Sequence, residues 1–438
     1  MQYRELNPVH NADIVFMVDD SGSMTEEQGN LTRNFPVFMR ELNVPGADLH
    51  IAVVSSDLGA GSSSYSTQCA NGGDKGTFCM HRAEDRMGVI STVDTCAICS
   101  VDVTGGRFLR TVNPNFPAGT LENTFTCMAK LGTAGCGFEH QLGSLRAALT
   151  SNANGAFLRD DAYLAFVVIT DEDDCTAPAD STAFAVENPG QDSSLRCALM
   201  GHTCGGVHND GTVDVNRPLS ECQEASDGGL TPIQEIVDAI MATKKNDANM
   251  IVAAGIFGWP LPNTQPLPYR IDAQGNRGGG GGGTRSFRPI CTSNNGDATA
   301  GLRVKKFIES FPNSSTFSIC QNDFSEAMRN IGSKIGVLLG SPCVDAPLID
   351  VKTGNVLKAG IANPDGDCAV VERRPRNGGG EDEVLLPRCT AGGTAACWSL
   401  VGDQACAVSN YKIDIDRKGE VVPPGTKQSI RCLTMTMK

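Results

Sequence analysis

The chain has 438 residues, with 36 Lys+Arg against 50 Asp+Glu, a net charge of −14 and 40% apolar residues. A single hydrophobic core stops growing near ~250–300 residues, so more than one domain is expected, and the apolar content excludes a disordered chain. The acidic balance excludes a phosphate-backbone partner, which needs clustered cations, and leaves a surface protein or a collector of divalent ions.

In chain order, residues 13–18 (Asp-Ile-Val-Phe-Met-Val) are a short apolar run ending in a turn signal, which predicts a buried strand. A helix is expected over 25–43, with Phe35, Phe38, Met39 and Leu42 near one face. His50–Ser56 predicts a second strand, and 59–107 a Ser-, Gly- and Cys-rich insertion held by disulfides. Phe108–Val112 predicts a third strand, Leu121–Leu131 a helix, Gly132–Gly137 a turn-rich loop and 139–149 another helix. Tyr163–Thr170 carries the strongest strand signal, and a second cysteine-bearing insertion follows over 175–230. Thr231–Lys245 reads as a helix with Pro232 in its first turn, and Asn249–Phe257 as a strand.

The stretch 260–299 is irregular and holds six consecutive glycines, Gly278–Gly283. They make a flexible loop rather than a phosphate cradle, since the Lys-Ser/Thr ending is missing. Helix 299–310, strand Thr316–Cys320 and helix Phe324–Leu339 complete the first unit. Apolar strands alternating with helices predict an α/β, doubly wound, mostly parallel sheet covered on both faces. Gly340-Ser341-Pro342 breaks the pattern, so the expected division is 1–340 and 341–438. The second part is a small cysteine-rich β domain with strand-like pieces at Ala369–Val371, Tyr411–Ile415 and Gln428–Leu433.

The 18 cysteines fall as twelve from Cys69 to Cys320 and six from Cys343 to Cys432. Cytosolic thiols stay reduced, so this content implies an oxidising compartment, with each part closing its own bridges. No apolar stretch approaches the roughly 20 residues of a transmembrane helix. Met1–Glu5 does not begin a signal peptide, so the expectation is a mature form whose leader has been removed.

The chemistry concentrates in Val18-Asp19-Asp20-Ser21-Gly22-Ser23-Met24, between a buried strand and a helix. Asp-x-Ser-x-Ser puts a carboxylate and two hydroxyls on one turn, all oxygen donors of the kind Mg²⁺ and Ca²⁺ take. In a doubly wound sheet this turn lies at the carboxyl end of a strand, where ligands bind. Strand 166–169 closes on Thr170-Asp171, which supplies a second carboxylate.

These residues resemble the metal-ion-dependent adhesion site of the von Willebrand factor A family. The resemblance covers roughly residues 10–340 and matches Asp19, Ser21, Ser23 and Asp171 to the family's metal-holding positions. It implies Mg²⁺ (or Ca²⁺ or Mn²⁺) and, as partner, a protein or surface ligand with an acidic group. Members place a threonine in the middle loop ahead of a helix; this chain reads Gly132-Thr133-Ala134-Gly135-Cys136-Gly137-Phe138-Glu139. Either Thr133 serves from an unusual distance or Glu139 takes the place, and Glu139 is favoured because a helix is expected to start there. The competing reading of Glu139 is a first-turn acid held by the helix dipole. Asp173 and Asp174 would be a second cation site or, more ordinarily, a solvated pair.

Other motifs fail. Asp20-Ser21-Gly22 lacks the second Asp-Thr/Ser-Gly of an aspartic protease, and Ser21 stands where a haloacid-dehalogenase-type phosphatase wants aspartate. Cys96-Ala97-Ile98-Cys99 and the Cys197, His202, Cys204, His208 group read as disulfide cysteines rather than zinc or redox sites. Asn363–Asp367 starts like a calcium loop, but Cys368 stands where glycine is needed. No histidine sits beside a candidate nucleophile, so the expectation is a binding protein, not an enzyme. The cysteine-rich pairing of two modules resembles exported surface adhesins of delta-proteobacteria and myxobacteria. That implies an extracellular or cell-surface place, with lipid anchoring to an outer membrane as one means of holding it there. The alternative is a structural or assembly part of an envelope complex whose metal only stabilises the fold.

Overall fold

The computed structural model describes residues 2–6, 11–42, 47–59, 107–184 (save 113, 118–119, 134, 152–153 and 155), 193–208 (save 206), 221–225, 229–260, 271–272, 286–340 (save 295), 344, 347–358, 366–376, 380–402, 409–420 and 427–435. Most of the first insertion and the six-glycine run lie outside them, as do Cys96, Cys99 and Asn363–Asp365.

Side chains alternate across a strand, so an apolar run without interruption must be covered twice. In Asn11–Val18 (β2), Val15 and Met17 join one core, and Ile14, Phe16 and Val18 the other. The second core is closed by α1 (Thr25–Glu41), α2 (Leu121–Ala129) and α7 (Ser325–Gly340), through Phe35, Phe38, Phe125 and Ile331. Phe16 meets Phe35, Phe38 and Phe125 edge-on, with ring centroids 6.0, 5.5 and 4.8 Å away. Burying each such ring stabilises the fold by ~1.5–3 kcal/mol. The opposite core is closed by α3 (Gln141–Thr150), α4 (Ser193–Gly201), α5 (Ile233–Thr243) and α6 (Leu302–Glu309).

With β3 (Asp48–Ser55), β4 (Leu109–Arg110), β5 (Tyr163–Thr170), β6 (Ile251–Phe257) and β7 (Ser314–Ser318), β2 forms a six-stranded sheet. The order is β7-β6-β5-β2-β3-β4, parallel except for β4, which runs antiparallel at the edge. From β2 the chain winds outward to β3; from β5 it winds the other way, to β6. The order therefore reverses between β2 and β5, and the crevice beyond their carboxyl ends is the place where such sheets bind ligands.

Several expected boundaries move. The third strand shortens to two residues and is antiparallel. The helix expected from 139 starts at Gln141. Within the second insertion, α4 leads into a small sheet of His202–Cys204 between Val207–His208 and Cys222–Glu224, stapled by Cys175–Cys197 and Cys204–Cys222. Cys197 and Cys204 are thus disulfide cysteines, as the sequence leads one to expect.

The C-terminal part has a sheet of β8 (Cys368–Pro375), β9 (Glu381–Leu386) and β12 (Lys427–Thr434), and a separate pair, β10 (Cys397–Gly402) with β11 (Tyr411–Asp416). Val370, Trp398, Tyr411, Ile413 and Ile430 are its core, and Cys368–Cys432 and Cys389–Cys397 brace it. Gln2–Leu6 (β1) belongs to this sheet and not to the parallel one: it pairs antiparallel with β12, Gln2 opposite Thr434 and Leu6 opposite Ile430. The proposed division at residue 340 is thus crossed by the first strand.

Candidate metal centre

Register brings the site together before any side chain does. Val18 pairs with Ser55 on one side and Ile169 on the other, so the next residues, Asp19, Ser56 and Thr170, stand in a row. Asp19 is fully buried. Its Oδ1 accepts from the Ser21 amide at 2.8 Å and from Ser56 Oγ at 3.1 Å; its Oδ2 accepts from Thr170 Oγ1 at 2.6 Å. Gln141 Nε2 in turn donates to Thr170 Oγ1 at 2.9 Å. The Ser21 and Ser23 hydroxyls lie 3.4 Å apart, and Ser23 donates to the Asp171 carboxylate. Asp19, Ser21, Ser23 and Asp171 are thus linked around one turn.

The middle loop is seated on that turn by Gln28 of α1. Its amide donates to the carbonyls of Asp19 and Gly132, both at 2.9 Å, and accepts from the Gly132 amide at 3.0 Å. The Gly135 amide donates to Asp20 O at 2.9 Å, and a Cβ at Gly135 would overlap the Asp20 carboxylate, so only glycine permits this approach. Glu139 follows. It is not a first-turn acid, because α3 begins two residues later and its carbonyl instead accepts from the Cys175 amide. Its side chain is buried and hydrogen-bonded with Glu172. Thr133 makes no hydrogen bond among the described residues.

The electrostatics are one-sided. Burial, then the charges of Glu172 and Asp19, raise Glu139 well above the ordinary carboxyl range, and burial, Glu172 and Asp19 do the same to Asp171. Burial raises Asp19 against its hydrogen bonds. Glu27, in the first turn of α1, is pushed up to about 7 by burial and by the charges of Glu26 and Asp19. None of the ion pairs among the described residues includes Asp19, Glu27, Glu139 or Asp171. Three buried carboxylate oxygens have no hydrogen-bond partner among the described residues: Glu27 Oε2, Glu139 Oε2 and Asp171 Oδ1. Like charges in a shared site cannot all ionise unless a cation joins them. Orphaned acceptors of this kind fit a hard cation. Among the described residues, though, no three His, Cys, Asp or Glu are arranged to hold a metal by themselves.

The acidic run after β5 divides. Asp173 and Asp174 are buried, neither solvated nor open to a cation. Asp173 accepts from the Arg303 and Val304 amides at the start of α6 and pairs with His202. Asp174 accepts from the Leu142 amide at the start of α3 and from buried Arg303. Each carboxylate fills a helix amino end, where backbone N–H groups lack partners.

Sequence reasoning passed over Glu27, Gln28, Ser56 and Glu172. For Glu27 and Gln28 a signal existed: they are buried polar residues on the helix that directly follows the motif.

No family model matches the chain, and no curated protein matches it. Among solved structures it is similar to a von Willebrand factor type A protein from Catenulispora acidiphila, at 10% identity and a TM-score of 0.32, over 98% of this chain. This chain covers 64% of that protein. A likeness this low carries no argument; the architecture is a large, mostly parallel α/β sheet covered by helices on both faces.

Proposed function

We propose that the crevice between β2 and β5 holds a divalent cation, Mg²⁺ or else Ca²⁺ or Mn²⁺, and that the protein uses it to bind an acidic group of a partner. The observation that carries this is that Asp19, Glu27, Glu139 and Asp171 feel one another's charge around one turn, with three orphaned carboxylate oxygens and no ion pair to any of the four among the described residues. Ser21 and Ser23 would be direct ligands, with Asp19 and Asp171 acting through water. Hydroxyl ligands leave a bound cation electrophilic, which is the chemistry that attracts a partner carboxylate. Asp19 holds the Ser21 amide in place and is itself fixed by Ser56 and Thr170. Glu139 brings a full negative charge where the family has a hydroxyl, which tightens the hold on metal and weakens the pull on an acidic partner.

The disulfides support an oxidising, extracellular setting. The finer reading is adhesion at a cell surface, with lipid attachment to an outer membrane as its anchoring. No helix among the described residues is long and apolar enough to cross a membrane. Calorimetric titration of Mg²⁺ or Mn²⁺ into the full chain, with adhesion to an acidic-peptide surface measured alongside, tests the proposal. Saturable binding and metal-dependent adhesion, both lost in Asp19→Ala, are expected. If chelation lowers the Tm while adhesion is unchanged, the metal is structural and the envelope-assembly alternative holds.

A further inference from the structure

A cavity of about 420 Å³ in the C-terminal part lies between β9, the turn before β10 and the turn after β11. Its walls combine apolar Val384 and Leu385 with Arg374, Arg417 and Lys418, the last paired with Asp416. That volume is in the range of small-ligand sites, which pair apolar walls with a few polar anchors. It is an unusual setting in a chain of net charge −14.

The two arginines are not equivalent. Glu372 lies between them, fully buried, taking Arg374 Nη2 at 2.8 Å and Arg417 Nη2 at 2.5 Å. Glu372 is thus matched by two guanidinium groups, and donors are left over. Arg417 Nη1 is buried with no hydrogen-bond partner among the described residues. The remaining face of Arg374 is held by Glu420 as a fork, Nη1 to Oε1 at 2.6 Å and Nη2 to Oε2 at 3.1 Å. Glu420 stands at the exposed rim, where an ion pair contributes little and exchanges readily. A guanidinium fork matches a carboxylate in plane, and leaving a buried donor unmet is costly. Leu385, 68% exposed, adds apolar surface beside the strand.

We propose that this cavity is a second recognition site, independent of the cation. It takes a carboxylate on an apolar stem, such as a glutamate side chain of an extended peptide, which displaces Glu420 from Arg374 and satisfies Arg417. The entering carboxylate replaces one already present, so the exchange adds no unpaired charge to the cavity.

The test uses the full chain in EDTA, so that failure of the metal proposal leaves it intact. Fluorescence anisotropy is read with a labelled peptide of valines and leucines around one glutamate, with its glutamine counterpart and with free glutarate as competitor. The glutamate peptide should bind at least ~10-fold more tightly than the glutamine one, as expected for a lost charge-assisted contact. Glu420→Gln should tighten binding, while Lys418→Glu and Ala395→Leu, both at exposed lining positions, should weaken it. Arg417→Gln should abolish it, and the two exposed variants cover the case in which that protein does not fold. Competition by glutarate assigns the site to small free acids; peptide binding without it assigns the site to peptides. Equal binding of the glutamine peptide, no binding of either acid, or weaker binding in Glu420→Gln overturns the proposal.

Discussion

The two ends of the parallel sheet bury carboxylates in opposite ways. At the amino end, Asp13 is fully buried, and its Oδ2 accepts from the Arg159 amide at 2.8 Å while its Oδ1 accepts from Arg159 Nε at 2.8 Å. Lys244 Nζ and His50 Nδ1 each stand 3.6 Å away. Burial raises Asp13 and lowers Lys244 and His50, and the opposite charges pull each back. At the carboxyl end, Asp19, Glu139 and Asp171 are as deeply buried, yet the charges that act on Glu139 and Asp171 are negative. One end closes its electrostatics within the chain, so it serves stability. The other leaves them open, which costs stability unless something outside the fold completes them.

The largest expected effect is at the closed end. Asp13→Ala takes the buried carboxylate from Lys244 and leaves Arg159 with Asp48 alone, and breaking one side of a buried pair typically costs ~3–5 kcal/mol. Chemical denaturation should show that loss, with metal affinity of the folded protein unchanged; a loss under 1 kcal/mol, an arbitrary low bound for a buried pair, would break the contrast between the ends. Next, Asp19→Ala should weaken metal binding by at least ~100-fold, equivalent to about 2.7 kcal/mol. It should destabilise the metal-free protein far less than Asp13→Ala does. Glu139→Thr comes third. Removing one of several like charges should weaken metal binding by ~10-fold, or about 1.4 kcal/mol, and strengthen adhesion to an acidic surface. If calorimetry finds metal affinity unchanged, Glu139 is outside the site and Thr133 becomes the candidate.

The smallest effect is with pH. A carboxyl raised in the folded state binds protons more tightly there than when unfolded. Its contribution is therefore full below the unfolded value and is lost as pH climbs through the folded one. With Glu27 near 7, the Tm of the metal-free protein should fall between pH 5 and 7. Glu27→Gln should flatten that slope, and so should saturating Mg²⁺. A slope identical with and without metal would uncouple Glu27 from the cation.

Most of the first unit was legible because its signals are local. The strand Tyr163–Thr170 is an unbroken apolar run from Leu164 to Ile169, and its expected and observed bounds coincide. The C-terminal sheet was harder. β9 begins Glu381-Asp382-Glu383 and carries Leu385 on its exposed side, so no alternation marks it as a strand. β1 cannot be inferred from its neighbours at all, since its partner lies at the other end of the chain.

By itself the sequence determined the alternation of apolar strands and helices, the oxygen-rich turn Asp19–Ser23 after the first of them, and a cysteine content suited to an oxidising compartment. Periodicity, turn chemistry and composition act within a few residues, so no partner had to be known. Tertiary structure decided what each acid of the run 171–174 does. Asp171 turns to Ser23, while Asp173 and Asp174 are drawn off by helix amino ends about 130 and 32 residues distant in sequence. It also decided that Glu139 precedes its helix, that Gln28 binds the middle loop to the motif, and that Asp13 is matched by cations where Asp19 is not. Those outcomes depend on which groups meet across the closed sheet, because the field at a buried carboxylate is set by neighbours in space.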